Sequence, residues 1–433
     1  MFEKIQTVSC ALCGSSNLER LVPSRKLNTS TGTWEARRDI WICICSSCGL
    51  IAENPQVDVI NSRDYNEHHY YNESYNQVEA HDELQNSYAE FRWEALRTRI
   101  DWSDIRKAVD VGATGAWSAK LKERQPHIES ILLEPSRAAI DFCARKYPTV
   151  IPIHGVLEEF VLGANDIDLI TLFYSLYHIS DPVTTLRMCR KALAPRGKLM
   201  ICISHAHLEI EMWGANRETP WVDMMHFVRG VMLTTFSRST LKLVLELAGF
   251  RISDVFVATH QEDGRWRGRQ DYFVLAESSG DDGAAVQVKS AERVKWAKDF
   301  VQNFCVNASH RSVAKFFEGK TDRKAVLVCD DDTYGNWAEG LLNEHNVVVS
   351  RIGTSNIDAL RNHLSNKNAI VLNATWKPID ASASVATIVD CIQEAEVAGD
   401  YGLWTTGPQD EVIITKALLP TKDFVQYPQP RDF

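Results

Sequence analysis

Long apolar runs are missing from this 433-residue sequence: no window of 18 residues is apolar throughout, so we expect no membrane-spanning helix. Met1 to Lys4 lack the apolar stretch that opens a secretory leader, which predicts that the chain is not secreted. Basic residues are not in excess either, because 47 Lys and Arg face 57 Asp and Glu, for a net charge of −10. This acidic balance argues against bulk nucleic-acid binding, and we expect neither a nucleic-acid nor a membrane partner.

The remaining composition is typical of a soluble globular protein, with 45% apolar and 24% charged residues. The length predicts roughly two to four domains. Eleven cysteines in a chain without a leader indicate a reducing compartment, so we expect a cytoplasmic protein whose cysteines are not paired as disulfides.

Two Cys-x-x-Cys-Gly sequences stand near the start, and they contain Cys10, Cys13, Cys45 and Cys48. Four thiolates in two such pairs make a closed tetrahedral zinc site, so we expect one structural zinc ion in a ribbon over residues 1–60. A disulfide staple is the weaker alternative in a reducing compartment. A thioredoxin-like redox pair needs a single Cys-x-x-Cys within a βαβ pattern, which this region lacks. Cys43, beside the site, is interpreted as a spare.

From residue 107 onward, short apolar strands alternate with helical segments. This alternation predicts a mostly parallel, doubly wound α/β sheet with an antiparallel edge, in a domain over residues 61–279. An amphipathic helix is predicted ahead of it, at residues 81–100. The expected strands span residues 107–111, 131–134, 150–153, 168–173, 198–203, 254–259 and 271–277.

A polar linker at residues 278–283 separates this domain from a second α/β series over residues 280–433. A helix is predicted at residues 286–305, followed by strands at 325–329, 346–349 and 369–372 and a helix at 382–398. The series predicts a second Rossmann-like unit. No glycine-rich phosphate loop follows Asp330 to Asp332, so we interpret this unit as a substrate or assembly platform.

One loop has the composition of a ligand cradle. Asp110-Val111-Gly112-Ala113-Thr114-Gly115 lies where the first predicted strand meets its helix, and close approach of a ligand to the backbone requires glycine there. Glu134 ends the next strand, at a distance suited to binding both hydroxyls of a ribose. Many strand-to-helix turns contain two glycines, so the loop alone is weak evidence.

The ordered motifs at residues 109–117, 133–142, 167–178, 181–182, 193–199 and 238–250 together resemble a class I S-adenosylmethionine-dependent methyltransferase, over residues 70–277. The resemblance implies that S-adenosylmethionine is bound by Asp110, Gly112, Gly115, Glu134 and Phe173. Two departures from the family pattern are evident. Thr114 stands where a middle glycine is usual, and Val156 stands near the place of an acid that meets adenine. A degenerate, non-catalytic domain on a zinc-ribbon scaffold is therefore the alternative function.

The order of ribbon, methyltransferase domain and second Rossmann-like unit resembles the three-domain sugar methyltransferases, including C-methyltransferases of nucleotide-linked deoxysugars. This implies C- or O-methylation of a nucleotide-linked sugar in polysaccharide or glycosylated-metabolite biosynthesis. The sugar would lie against the tyrosine-rich segment that holds Tyr70 and Tyr71. The Glu-His pair of the C-methyltransferases is missing before Phe236, so the choice between carbon and oxygen stays open.

Deprotonating an acceptor needs a base, and histidine is suited to this role at neutral pH. The candidates His178, His205 and His226 follow predicted strands or lie in an aromatic segment at the same edge of the sheet. Arg265 and Arg267 alternate around Trp266 and could pair with a diphosphate, with a solvated turn as the alternative. Whether the chain is a monomer or a dimer stays open.

Overall fold

The computed structural model describes residues 5–28, 33–57, 78–157, 166–203, 233–259, 270–280, 286–301, 324–328, 333–352, 370–373, 401–406 and 412–416. No helix within these ranges is long and apolar enough to cross a membrane. The chain divides into two compact units. The first contains Met1–Glu19, Cys43–His226 and Val231–Ala297, and the second contains Arg20–Ile42, Phe227–Gly230 and Lys298–Phe433.

The strands of the described residues, in chain order, are β1 Ile5–Gln6, β2 Leu18–Asn28, β3 Thr33–Cys45, β4 Ile51–Asn54, β5 Gln56–Val57, β6 Lys107–Val111, β7 Glu129–Glu134, β8 Ile151–His154, β9 Ile167–Phe173, β10 Leu193–Ile203, β11 Thr234–Thr235, β12 Phe250–Thr259, β13 Gln270–Ser278, β14 Lys324–Val328, β15 Val348–Ile352, β16 Ile370–Asn373, β17 Tyr401–Thr406 and β18 Val412–Lys416. The α-helices are α1 Val78–Leu96, α2 Ala116–Arg124, α3 Arg137–Lys146, α4 Pro182–Ala192, α5 Arg238–Leu247, α6 Ala291–Val301 and α7 Thr333–Glu344.

The first unit is built on a seven-stranded sheet with the order β12-β13-β10-β9-β6-β7-β8. Strands β6 to β10 run parallel, while β13 is antiparallel to both β10 and β12. This confirms the predicted α/β class with a parallel sheet and an antiparallel edge. The strand order reverses direction between β6 and β9, and open sheets of this kind bind ligands at the carboxyl ends of the strands beside such a point.

Alternating residues of the strands pack on opposite faces of this sheet. Val109 and Ile201 belong to a core cluster with α4 and α5, whereas Ala108 and Met200 belong to a second cluster with α1 and α2. This period-two alternation is expected for strands buried on both faces. The first cluster also contains residues of the cysteine-rich segment: Cys10, Leu12, Cys45, Cys48 and Leu50.

Helices α4 and α5 begin at side chains that cap their free backbone N–H groups. Asp181 accepts from the Thr184 N–H at 3.0 Å, and Pro182 occupies the first turn of α4, where its missing N–H costs nothing. Ser237 accepts from the Thr240 N–H at 3.1 Å, and the Thr240 hydroxyl accepts from the Ser237 N–H at 2.8 Å. These caps fix where each helix leaves the carboxyl edge of the sheet.

Some boundaries differ from the sequence predictions. The helix predicted over residues 81–100 runs from Val78 to Leu96. The helix predicted from residue 286 begins at Ala291, because Ser290 caps it and the valines at 286 and 288 pack against the core instead.

The second unit has the sheet order β15-β14-β16-β17-β18, in which every strand except β18 runs parallel to its neighbours, as the prediction of a Rossmann-like unit requires. The predicted helix at 382–398 lies outside the described residues.

Candidate functional site

The loop from Gly112 to Gly115 lies at the carboxyl end of β6, beside the ends of β7 and β9. Gly112 has a φ of +77°, and its N–H donates to the Leu133 carbonyl oxygen at 2.8 Å. A Cβ on Gly112 would lie 3.1 Å from the Ser175 Oγ and 3.9 Å from the Glu134 Oε2. Both the backbone conformation and the narrow space therefore require glycine at this position.

Glu134 joins this loop to the next one. Its carboxylate is buried at the end of β7, where Oε2 accepts from the Ala113 N–H at 3.0 Å and Oε1 accepts from the Ser136 N–H at 2.8 Å. A carboxylate has about four lone-pair sites, and these two N–H groups use two of them. The geometry fits an acid that holds the loops and also accepts from ligand hydroxyls.

Gly115 serves a different contact. It precedes α2 with a φ of +98°, and a Cβ there would lie 2.5 Å from the Cys143 Sγ on α3. The absence of a side chain at Gly115 therefore lets α3 pack against the loop. Its predicted role in cofactor binding stays a prediction.

Asp110 is a buried carboxylate at the end of β6. Its Oδ1 accepts from the Thr171 hydroxyl at 2.7 Å, whereas Oδ2 has no hydrogen-bond partner among the described residues. Burial raises the pKa of Asp110 to about 6, although the Thr171 hydrogen bond and the positive charge of Arg92 act in the opposite direction. A buried oxygen without a partner is costly unless a ligand supplies one.

Arg92 on α1 is a site residue that the sequence reasoning missed. It is 2% exposed, and its guanidinium carbon lies 4.5 Å from the centre of the Phe173 ring and 5.3 Å from that of Tyr88. One terminal nitrogen donates to the Gln85 side chain at 3.3 Å, while Nε has no partner in the described part of the chain. The available signal was an arginine four residues after Tyr88, on the same helix face as the core residues Ala89 and Trp93.

Thr114, which stands where the family pattern usually has a middle glycine, makes a hydrogen bond that a glycine could not make. The Thr114 hydroxyl donates at 2.6 Å to Asp82 on α1, and neither side chain is exposed to solvent. Asp82 also accepts from Lys146 Nζ at 2.6 Å and from the Tyr147 hydroxyl at 2.9 Å. A threonine in this loop therefore connects α1, the loop and the end of α3 through one carboxylate.

The predicted acceptor-site residues are only partly described. His178 is half-buried in a short 3₁₀ helix after β9, with its ring centre 4.6 Å from that of Tyr177. The remaining predicted residues of this site lie outside the described ranges: Tyr70, Tyr71, His205, His226, Arg265 and Arg267.

The four predicted metal ligands form one cluster. Cys10 Sγ lies 3.5 Å from Cys48 Sγ, Cys13 Sγ lies 3.4 Å from Cys45 Sγ, and all four sulfurs lie within 4.8 Å of one another. Tetrahedral zinc with bonds of about 2.3 Å separates its sulfurs by about 3.8 Å, so the arrangement fits this ion. Hydrogen bonds from Cys10 and Cys48 hold the pKa of Cys45 far below its usual value.

The second Cys-x-x-Cys-Gly sequence, residues 45–49, which we call the second knuckle, is also held by the segment that follows the seven-stranded sheet. Arg293 Nε donates to the Cys48 carbonyl oxygen at 3.1 Å, and the Ser290 N–H donates to the Ser47 carbonyl oxygen at 3.0 Å. Strand β4, which follows this knuckle, pairs antiparallel with β11. The cysteine cluster is thereby joined to the fold at two places.

Comparison with known proteins finds a match for the central part of the chain. Residues 89–255 match a family model described as a methyltransferase domain. A curated relative, aclacinomycin 10-hydroxylase RdmB of Streptomyces purpurascens, is 27% identical over 151 residues, which are 32% of this chain and 38% of the relative. The chain thus covers less than half of that relative's length.

Two solved structures each match 46% of this chain. An O-methyltransferase of neocarzinostatin biosynthesis, NcsB1, in complex with S-adenosylmethionine and 2-hydroxy-5-methyl naphthoic acid, is 16% identical, with a TM-score of 0.35 over 46% of this chain and 57% of that one. A complex of the Haloferax volcanii Trm112 methyltransferase activator with a methyltransferase is 13% identical, with a TM-score of 0.38 over 46% of this chain and 93% of that one.

Proposed function

We propose that this chain transfers a methyl group from S-adenosylmethionine to a small-molecule acceptor, because residues 89–255 match a family model described as a methyltransferase domain. The observation that supports this most strongly is a pair of buried polar atoms near the glycine loop, Asp110 Oδ2 and Arg92 Nε, that have no hydrogen-bond partner among the described residues. The cofactor carries an ammonium and a carboxylate at its amino-acid end. A buried carboxylate and a buried guanidinium are the matching groups.

Other residues of the site fit the rest of the cofactor. Gly112 leaves the loop backbone accessible, and Glu134 can accept from the ribose hydroxyls with its remaining lone pairs. Arg92 is held over Phe173, which keeps both side chains at the carboxyl edge. When bound, S-adenosylmethionine supplies a methyl group activated by its sulfonium. The chain's own residues bind the cofactor, exclude water and take the acceptor's proton.

The binding half of this proposal is tested by calorimetry of the full chain with S-adenosylhomocysteine. We expect saturable binding by the wild type and a loss of affinity in Glu134→Ala of about 1.5–3 kcal/mol, the range for hydrogen bonds to a charged group. Asp141→Asn, on the exposed side of α3, is the control with unchanged affinity. Absence of binding by the wild type would refute the proposal and favour the non-catalytic scaffold.

For the acceptor we propose a nucleotide-linked sugar, methylated on carbon or oxygen. This rests on the order of the three sequence regions and on the proposed contacts of Tyr70 and Tyr71 with the sugar and of Arg265 and Arg267 with a diphosphate. His178, His205 and His226 are proposed as bases. The relative RdmB, which is named an aclacinomycin 10-hydroxylase, raises a second class of acceptor, natural products such as aclacinomycin. Transfer of labelled methyl to nucleotide-linked hexoses, or to aclacinomycin and hydroxylated aromatics, distinguishes the two classes.

We also propose one structural zinc ion bound by the four clustered cysteines. A closed shell of four thiolates leaves no open position for a substrate, so the ion stabilises the fold and takes no part in the reaction. Reduced cysteines of this kind fit a cytoplasmic protein. Elemental analysis of freshly purified protein tests the ion, and less than half an equivalent of zinc would contradict it.

A further inference from the structure

Tyr174 has an unusual backbone conformation at the end of β9. Its φ is +60°, in the left-handed region that residues with a side chain rarely adopt, and its N–H donates to the Cys202 carbonyl oxygen at 2.8 Å. It lies between Phe173, which contacts Arg92, and Ser175, which faces Gly112. Non-glycine residues in this conformation cluster at active sites and ligand clamps.

The hydroxyl of Tyr174 donates to Asp271 Oδ1. Asp271 is fully buried at the start of β13, and the pairing of Ile203 with Tyr272 puts that start at the carboxyl edge of β10. The thiol of Cys202 donates to the other oxygen of Asp271 at 3.7 Å. A buried carboxylate thus stands behind a half-buried tyrosine, at the edge of the sheet that binds ligands.

We propose that Tyr174 and Asp271 form the proton-accepting pair for the acceptor's hydroxyl group, with Tyr174 as the catalytic residue and Asp271 as its positioning partner. This inference rests on the proposed function and, for an oxygen acceptor, assigns the role of base to this pair in place of the histidines named there. The acceptor oxygen forms a bond to the methyl carbon as the carbon–sulfur bond breaks, leaving S-adenosylhomocysteine as a neutral thioether. The acceptor's proton moves to the Tyr174 oxygen, and the tyrosine's own proton moves to Asp271, which becomes a carboxylic acid.

Three features favour this pair over a purely structural hydrogen bond. The tyrosine directly follows the strand that carries the Phe173 contact, so it is next to the cofactor residues. Its phenol oxygen keeps lone pairs that can accept from a ligand while its proton is donated to Asp271. A relay through a fully buried carboxylate also needs no water at the reacting oxygen, because the charge that accepts the proton is already inside the protein.

The test compares four proteins as full chains: wild type, Tyr174→Phe, Asp271→Asn and the double variant. Each is measured for S-adenosylhomocysteine affinity, melting temperature and methyl transfer to the nucleotide-linked hexoses and hydroxylated aromatics. We expect unchanged affinity and a fall in kcat of roughly 10²–10⁴-fold in each single variant, as for loss of a general base. The double variant should be no slower than the slower single variant. A solvent deuterium isotope effect on the kcat of the wild type should disappear in all three variants.

Tyr147→Phe is the matched control, because it removes another hydrogen bond from a tyrosine to a buried aspartate, that of Tyr147 to Asp82. We expect it to lower the melting temperature without the loss in kcat. A wild-type level of kcat in Tyr174→Phe would overturn the inference while leaving the proposed function intact. The same holds if Tyr174→Phe keeps its kcat while His178→Asn loses most of its own.

Failure of the proposed function gives different results. If the wild type does not bind S-adenosylhomocysteine, the proposed function and this inference are both refuted. If it binds but methylates nothing in the panel, 3-fluorotyrosine at position 174 decides the matter by fluorine NMR. A signal that Asp271→Asn moves and Tyr147→Phe does not move supports the pair, and a signal insensitive to Asp271→Asn overturns it.

Discussion

Thr114 in the glycine loop donates its hydroxyl to the buried carboxylate of Asp82 on α1 at a distance of 2.6 Å. The helix that precedes the seven-stranded sheet is thereby connected to the loop proposed to hold the cofactor. Because Asp82 is fully buried and also binds Lys146, loss of the threonine donor weakens a site that water cannot reach.

We therefore predict that Thr114→Val, which keeps the shape and removes the donor, lowers the free energy of unfolding by about 1.5–3 kcal/mol. The affinity for S-adenosylhomocysteine should fall as well, since the loop loses its connection to α1. Denaturant unfolding and calorimetry measure the two effects. Thr185→Val is the matched control: Thr185 is equally buried, but its hydroxyl has no hydrogen-bond partner among the described residues, so its replacement should be neutral or stabilising.

The contact between Gly115 and Cys143 gives a second prediction. Gly115→Ala should lower the free energy of unfolding by about 2–4 kcal/mol, because the new Cβ would collide with the Cys143 sulfur and the positive φ would be strained. Cys143→Ala should recover part of that loss in the double variant, since it removes the collision and leaves the strain. Equal losses in Gly115→Ala and in the double variant would show that the sulfur is not the obstacle.

The sheet was predictable from the sequence, and much of the site was not. Local alternation of strands and helices locates the end of β6 and the end of β7, and so places Gly112 and Glu134 at one edge. Arg92 and Asp82 were not predicted as site residues, because an amphipathic pattern shows which helix face is buried but not which loop that face contacts. Tyr174 escaped for a similar reason, since its partner Asp271 is distant in sequence and only the antiparallel pairing of β13 brings it near.

The cysteine region shows the same division between local and distant information. Spacing alone predicted the four ligands, whose sulfurs do lie together. The pairing of β4 with β11 and the hydrogen bond from Arg293 to the Cys48 carbonyl connect residues that are far apart in the chain, and spacing carries no information on them.

Asp110 gives a prediction of pH dependence. Burial raises its pKa from 3.8 to about 6, so between these values the folded protein binds more protons than the unfolded chain. The free energy of unfolding of the cofactor-free protein should therefore fall as pH rises through this window, by on the order of 3 kcal/mol. Asp110→Asn should remove this fall, whereas Asp141→Asn on the exposed side of α3 should retain it.

Cofactor binding should have the opposite dependence. The proposed contact with the cofactor's ammonium needs the ionised form of Asp110, so affinity for S-adenosylhomocysteine should be constant above pH 6 and weaken below it, by up to about tenfold per pH unit. Calorimetry from pH 5 to pH 8 in one ionic strength measures this, within roughly the range where the fold is stable. An affinity that is flat across this range would place Asp110 outside the cofactor contacts.

The cluster of four cysteines gives a further prediction. Cys10→Ser should lose the ion and lower the melting temperature of the whole first unit, because Cys10, Cys45 and Cys48 share a core cluster with strands of the seven-stranded sheet. Zinc analysis and thermal unfolding measure the loss. The surviving folded protein should keep its affinity for S-adenosylhomocysteine, since the cluster has no open position for a ligand.

Arg293→Met separates the ion from the segment that covers it. The variant keeps all four cysteines, so its zinc content should equal that of the wild type. It loses the hydrogen bonds from Arg293 to the carbonyl oxygens of Cys48 and Val288, so amide hydrogens of residues 286–297 should exchange faster. The exposed Lys295→Met on the same helix is the control with wild-type exchange. Loss of zinc in Arg293→Met would instead mean that this segment holds the second knuckle in its metal-binding form. Unchanged amide exchange would mean that the apolar contacts of Val286 and Val288 suffice to hold the segment.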